Sequence, residues 1–466
     1  MPTWIHAHDG WLARLVIQRG IGIVYVLAFV VALVQFRPLL GERGLLPVPE
    51  YLVHVRFRDA PSLFHLRYSD RIFVAVASVG LLLSVAIVLG LPDGWPVPIA
   101  IATWLVVWAI YLSIVNVGQQ FYGFGWETLL LEAGFLAAFL GPAWTAVPAP
   151  MLWAFRWLLI RVELGAGLIK WRGDPGWRDL TCLEFHHETQ PMPNPLSWWF
   201  HRLPRPLHKV EVLGSHLAQL VAPVLLLLPQ PIAGGAALFM ACTQLWLVLS
   251  GNFSWLNLIT IVLTASLLRD TMLGVVKPAL HASTTLDACV VLIGLLVVVL
   301  SYRPAKNLLS RHQLMNASFD PLHLVNTYGA FGSVERERLE VVVEGCAAEG
   351  APWREYEFRG KPTDPSRRPR QVAPYHLRLD WMMWFLALVP GRELAWFLPF
   401  LQKLLVNDAP TLRLLGKNPF PDEPPHAVRA TVYAYRFTTR RERRETGAWW
   451  VRTRLHELVP PRRRSA

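Results

Sequence analysis

Along roughly the first 300 residues, long apolar runs alternate with polar breaks; beyond them the pattern changes. A helical crossing of a hydrocarbon core about 30 Å thick takes roughly 20 mainly apolar residues. Runs near that length cover residues 21–36 (with 15–17 ahead), 72–91, 97–117, 126–140, 151–171, 213–228, 232–250, 253–268 and 286–302. The pattern predicts a polytopic α-helical membrane protein of about nine spans. The shortest are 213–228 and 253–268.

Three long polar segments interrupt or follow these runs: 37–71, 172–212 and everything from Arg303. With four spans between successive segments, all three fall on one face of the membrane. The predicted organisation is a membrane domain over 1–310, a linker at 311–325, a soluble domain over 326–460 and a disordered tail at 461–466. Within the soluble domain "RLEVVVEG", "WREYEFRG" and "VRATVYAYRF" have the β-branched and aromatic density of strands. "WMMWFLALVP" and "LAWFLPFLQKLLV" are too short to span and read as buried helices. The expectation is a β-rich, sandwich-like domain with added helices, and the Pro-rich stretch 360–374 as an exposed loop.

Composition adds sidedness and excludes some functions. The net charge is +12, and residues after Ser301 hold 27 of the 45 Lys and Arg against 17 of the 33 acidic residues. A basic domain held at a phospholipid surface points to anionic lipids or a protein partner, not to nucleic acid. The excess of Lys and Arg on the polar face favours the cytoplasm. Four scattered cysteines, with no Cys-x-x-Cys pair, argue against a dithiol oxidoreductase or zinc finger. Residues 1–20 lack the form of a cleavable signal, so the first span reads as an uncleaved anchor.

Charges inside the apolar runs are few and therefore informative. Arg156, Glu163 and Lys170 are spaced by seven on one helix, within about 40° of one another. Arg161 lies on the same helix. Glu127 and Glu132 lie on the preceding one, across a short turn. Counting from that turn sets Glu132 beside Arg156, and Glu127 beside Arg161 or Glu163. Two readings fit: an ion-pair network that fixes helix packing, or a polar cavity for a substrate or lipid headgroup.

The polar exit from the fifth run, "KWRGDPGWRDLTCLEFHHETQPMPNP", begins a stretch to His216 that holds five of the 15 histidines. His186, His187 and Glu188 are consecutive, and neighbouring residues diverge on a helix or strand. No His-Glu-x-x-His spacing occurs, so no metal site and no cofactor are expected. An acid–base role for Lys170, Glu163, His186, His187 or Glu188 is chemically possible. The alternative is an ordered loop in which Asp and Glu pair with Arg172 and Arg178.

That segment, with "FGWETLLLEAGFLAAFL" upstream and "NFSWLNLITI", "VNTYGAFG", "WREYEFRGKP" and "YHLRLDWMMWFLAL" downstream, resembles the lipase maturation factor family. The likeness runs from about Gly118 to Val459. The membrane half also looks distantly like the vitamin K-dependent carboxylase type of transmembrane fold. The resemblance implies a folding or assembly factor for secreted lipases or another exported client, without catalysis. It marks Arg172, Asp174, Trp177, Arg178, Asp179, Gln190, Asn194 and His216 as the loop signature, and Asn326, Tyr328, Gly329, Trp353, Asp380 and Trp381 as the tail signature. It sets the tail on the lumenal side of the endoplasmic reticulum membrane in animals, or outside the inner membrane of a bacterium. Folded domains override charge bias, so the resemblance outweighs the positive-inside count here. The Arg-, Ala- and Pro-rich composition suits a bacterial member. On this reading Trp198, Trp199 and Trp353 with nearby Arg side chains offer a client surface. The competing expectation is a membrane enzyme acting on a lipid or quinone-like substrate.

Overall fold

A computed structural model describes residues 5–464. Among the described residues, five helices are long and apolar enough to cross a membrane: Trp11–Leu40, Asp70–Leu89, Val97–Asn116, Ile232–Ser250 and Thr284–Leu309. The four other expected spans are helical but differ from them. Gly125–Ala137 is prolonged only by a 3-10 turn, Ala138–Leu140, and Leu256–Leu267 is short. Ala149–Arg172 has 24 residues but carries the charges named above. The run 213–228 is no separate helix. It continues Arg205–His216 through a π-helical turn, Leu217–Val221, into Ala222–Leu225. Gly125–Ala137 is buried along almost its whole length, and a helix surrounded by protein need not be apolar over a full bilayer thickness.

Local chemistry sets the helix ends. The Ser69 hydroxyl accepts from Ile72 N and starts Asp70–Leu89, while Gly90 closes it at φ 81°, a conformation that glycine adopts freely. The first helix takes its cap from far away. Asp270 accepts from Gly10 N, Trp11 N and Leu12 N at 3.0, 3.0 and 2.7 Å, a carboxylate at the positive end of the helix dipole.

The three polar segments meet at one end of the bundle. Asn116 Nδ2 donates to Pro61 O and to Pro321 O, and Gln35 Nε2 donates to the Tyr375 hydroxyl. Arg338 Nη1 donates to Glu188 O at 2.8 Å. At the opposite end His281 pairs by backbone bonds with the turn at Trp144 and Ala146.

The C-terminal domain contains one four-stranded antiparallel sheet, in the order Arg354–Glu355, Arg338–Cys346, Ala427–Phe437, Trp450–Arg463. Val341 lies opposite Val432 and His456 beyond it. This corrects the sandwich: among the described residues the second layer is helical. Arg378–Leu388 and Pro390–Leu405 bury Met383, Trp396, Phe397 and Phe400, supplying the apolar cover that a second sheet would have given. Only Arg354–Glu355 of the "WREYEFRG" stretch is strand, because Tyr356 and Phe358 turn into the core. The last strand reaches Arg463, opposite Ala427. Residues 461–463 are therefore sheet, not disordered tail; 465–466 lie outside the described residues. The stretch 360–374 is also not simply exposed. Lys361 and Thr363 are fully buried, and Lys361 Nζ lies 2.9 Å from Glu340 Oε2.

Candidate functional site

Two acids of the membrane half, Glu127 and Glu132, are each paired with an arginine, in a register different from the one counted along the helices. Arg161 binds Glu132 through both terminal guanidinium nitrogens, Nη1 and Nη2, with both side chains buried. Arg161 lies five residues beyond Arg156 on its helix, about 7.5 Å further along the axis. Among the described residues Arg156 has no acidic partner: it donates to Ser266 O and stacks on Trp153. Glu127 meets neither Arg161 nor Glu163. Its partner is Arg378 of the tail, Nη1 to Oε1 2.8 Å, with the Tyr111 hydroxyl also donating to the carboxylate.

Glu132 gathers the start of the tail as well. Asn326 N, Asn326 Nδ2 and the Tyr328 hydroxyl all donate to its Oε2, at 3.0, 3.0 and 2.8 Å. The segment expected to open the soluble domain is thus docked in the membrane half. Gly165 permits this, since a Cβ there would lie 2.3 Å from Tyr328 O. Gly329 packs against Met315 in the same way.

Glu163 and Lys170 sit in a buried amide-rich network. Gln244 Nε2 donates to Glu163 at 2.6 Å, and Asn257 Nδ2 donates to Gln244. Lys170 Nζ donates to Gln219 at 2.9 Å, inside the π-helical turn, and lies over the Trp177 ring.

The exit loop spends its polar groups on backbone. Asp174 caps Pro175–Arg178 through Gly176 N, and binds Val334 N and Arg336. Trp177 donates to Phe331 O, and His216 Nε2 meets Trp177 O. Arg172 binds Gln313 and Leu308 O, so the expected pairing of loop acids with Arg172 and Arg178 does not form. Arg178 donates to Trp171 O, and Asp179 is exposed. Gln190 ties His187 O, Ser197 and Ser250 O together, and Asn194 holds the backbone at Val248 and Leu249. Arg338, itself fully buried, clamps Glu188 O and Gln190 O from the sheet. In the tail, Asp380 holds Gly360 N and Lys361 N, Trp381 packs edge-on against Trp126, and Trp353 lies beneath Arg429.

The histidines divide by environment. His186 lies between Phe253 and Phe331, and burial pushes its pKa down to about 3. His187 is also pushed down by burial. It faces His208 and Glu211, whose ligand-type atoms all lie within 4.8 Å of one another. Burial acts to raise the Glu211 carboxyl, but the imidazoles of His187 and His208 outweigh it and bring it to about 2. Glu188 is raised by burial and accepts from Phe437 N. The consecutive residues 186–188 therefore point to three places, and His187 finds His208 and Glu211 one helix away. His208 and Glu211 stand at i and i+3 on Arg205–His216, a spacing the sequence carries. Nothing local announced His187 as their third member. Arg338 and Arg378 were missed too, because Glu188 and Gln190, which Arg338 clamps, and Glu127, which Arg378 pairs with, lie far away in the chain.

Residues 12–275 match the lipase maturation factor transmembrane domain, and residues 324–460 match the lipase maturation factor C-terminal domain. The chain belongs to the lipase maturation factor family. It is similar to Lipase maturation factor 1 of Bos taurus, 40% identical over 99% of this chain and 90% of the relative. The Homo sapiens protein of that name is 39% identical over 99% and 89%. Lipase maturation factor 2 of Homo sapiens is 28% identical over 96% and 82%. No solved structure matches the chain. The boundary between the two family domains, 276–323, precedes the Asn326–Tyr328 dock, so the family's C-terminal unit begins with the residues that grip Glu132.

Proposed function

We propose that this chain is a membrane-anchored maturation factor that assists folding or assembly of secreted lipases or other exported clients. The observation that carries the reading is likeness to Lipase maturation factor 1 over 99% of the chain, taking in both halves. The geometry supports it. The signature loop is occupied in holding backbone, as a rigid platform requires and as a catalytic centre does not. Beside it, Trp199 is 41% exposed and lies under Arg368 and Arg443, with Trp449 beneath Arg443 as well. Aromatic and Arg side chains together are typical of binding surfaces. Of the three tryptophans expected there, Trp198 is buried and Trp353 half-buried, so Trp199 is the one that offers a face. The reading includes nine crossings, with this face on the lumenal side of the endoplasmic reticulum membrane, or outside the inner membrane of a bacterium.

The test is rescue. Cells lacking their own factor, supplied with this chain and a secreted lipase, are expected to recover lipase specific activity several-fold. Trp199→Ala with Arg443→Ala is expected to reduce the recovery. Absence of rescue by chain that is present and folded in the membrane would overturn the proposal.

A second reading, an enzyme acting on a lipid or quinone-like substrate, draws on Glu163 and Lys170 beside the π-helical turn, where such irregularities often mark functional sites. Each of those groups is already satisfied by an amide, which favours the first reading. Glu163→Gln separates the two: it should leave client rescue intact in a scaffold and abolish turnover in an enzyme.

A further inference from the structure

We infer that His187, His208 and Glu211 form a site for a divalent transition-metal ion of the zinc class. His208 Nδ1 lies 3.0 Å and His187 Nε2 3.6 Å from the same carboxylate oxygen, Glu211 Oε2. A tetrahedral ion bound at about 2.0–2.1 Å places its ligand atoms roughly 3.3 Å apart, and the two observed separations straddle that value. The widest gap in the group, at most 4.8 Å, closes by rotation of the side chains.

The second observation is the state of His187. The residue is 2% exposed, and among the described residues neither ring nitrogen makes a close hydrogen bond, Glu211 Oε2 lying 3.6 Å from Nε2. A buried imidazole left so is costly, and a ligand-bound ion is what relieves it. Glu211 is also held ready, because Trp246 Nε1 donates to its other oxygen at 2.9 Å. A metal-binding carboxylate is commonly oriented by such an outer partner.

Two imidazoles and one carboxylate suit zinc or its neighbours and not calcium or magnesium, which take oxygen ligands. The ion would tie Leu183–Thr189 to Arg205–His216 and, through Trp246, to Ile232–Ser250. It would thereby lock the exit loop against the bundle. This inference stands on geometry alone and is independent of the proposed client.

The experiment uses the full chain, purified in detergent with a tag free of histidine, stripped with chelator and reloaded with Zn2+. Elemental analysis is expected to find about one zinc per chain in the wild type and in the exposed-site control His312→Ala. His208→Ala and Glu211→Gln are expected to retain almost none. A Co2+ titration of the unaltered chain, which does not depend on the variants folding, is expected to give the intense visible bands of a tetrahedral site. Equal zinc in wild type and variants means surface binding only, and overturns the inference. So does a monodisperse wild-type chain that retains no zinc and shows no Co2+ bands.

Discussion

Glu127 and Arg378 come from opposite halves of the chain, and their side chains meet at 2.8 Å with no exposure to solvent. Glu127 opens the helix Gly125–Ala137, and Arg378 opens Arg378–Leu388. Arg378 also stacks on Tyr122 and donates to Phe121 O. A pair so placed holds the C-terminal domain against the membrane half. Removing one partner leaves a buried charge alone, which typically costs about 3–5 kcal/mol. Arg378→Ala is expected to lower thermal stability by that order. The double replacement Glu127→Leu with Arg378→Met is expected to be less harmful than either single change. Unfolding followed in detergent measures it, and additive losses would show that the two charges do not depend on each other.

Glu132 is the second clasp. Glu132→Gln leaves Arg161 without its counter-charge and weakens the grip on Asn326 and Tyr328, whereas Tyr328→Phe removes one hydrogen bond to a charged group, worth about 1.5–3 kcal/mol, and a longer one accepted from Asn326 Nδ2. Both variants are expected to cleave faster in the 311–325 segment under limited proteolysis, Glu132→Gln more so. Unchanged cleavage would mean that the docked segment is held by other contacts.

Gly165 marks where the tail backbone meets the helix. Gly165→Ala brings a methyl group to 2.3 Å from Tyr328 O, and a backbone carbonyl has little room to yield. The expected result is undocking of residues 326–329, seen as a fall in thermal stability and the same proteolytic pattern as Glu132→Gln.

His376 predicts the direction of a pH effect. It is fully buried among Phe124, Trp126, Trp255 and Trp381, and Glu127 Oε1 lies 3.9 Å from its Nδ1. Burial, aided by the Arg378 charge, holds its pKa well below 6.5. The unfolded chain then takes up the proton first. Stability contributed by the neutral ring is full above about pH 6.5 and declines as pH falls below it. Melting temperature of the wild type should drop between pH 7.5 and 5, and His376→Phe should flatten that slope. Equal slopes would remove His376 as the cause.

Sidedness is open to labelling. Arg56, Arg178 and Ser366 are exposed and lie in the three polar segments, and Val276 lies at the other end of the bundle. With exposed Cys242 replaced, single cysteines at 56, 178 and 366 should react with an impermeant thiol reagent from one side, and a cysteine at 276 from the other.

Helix positions were legible because burial in lipid or protein writes itself locally, as runs of apolar residues with Ser or Gly at their ends. Leu256–Leu267 and Gly125–Ala137 show the limit of that signal. A sequence run says that a segment avoids water, but not whether lipid or neighbouring helices surround it. The signature residues of the exit loop were recognisable as a group, yet their work was not. Asp174 and Gln190 bind backbone groups whose positions depend on how the loop folds back. The helical cover of the sheet was hidden for a related reason. An apolar stretch such as "WMMWFLALVP" has the same composition whether it lies on a membrane, on a second sheet or on the back of the first.

By itself the sequence determined that this chain is a membrane protein with apolar helices, a basic C-terminal domain and the pattern of its family, because these follow from residue type and order. Only the tertiary structure decided which charges pair. Glu127 chose Arg378 over the nearer Arg161, Glu132 took Arg161 with Asn326 and Tyr328, and His187 came to face His208 and Glu211. Electrostatic and ligand contacts act over a few ångströms of space, and separation along the chain does not measure that distance.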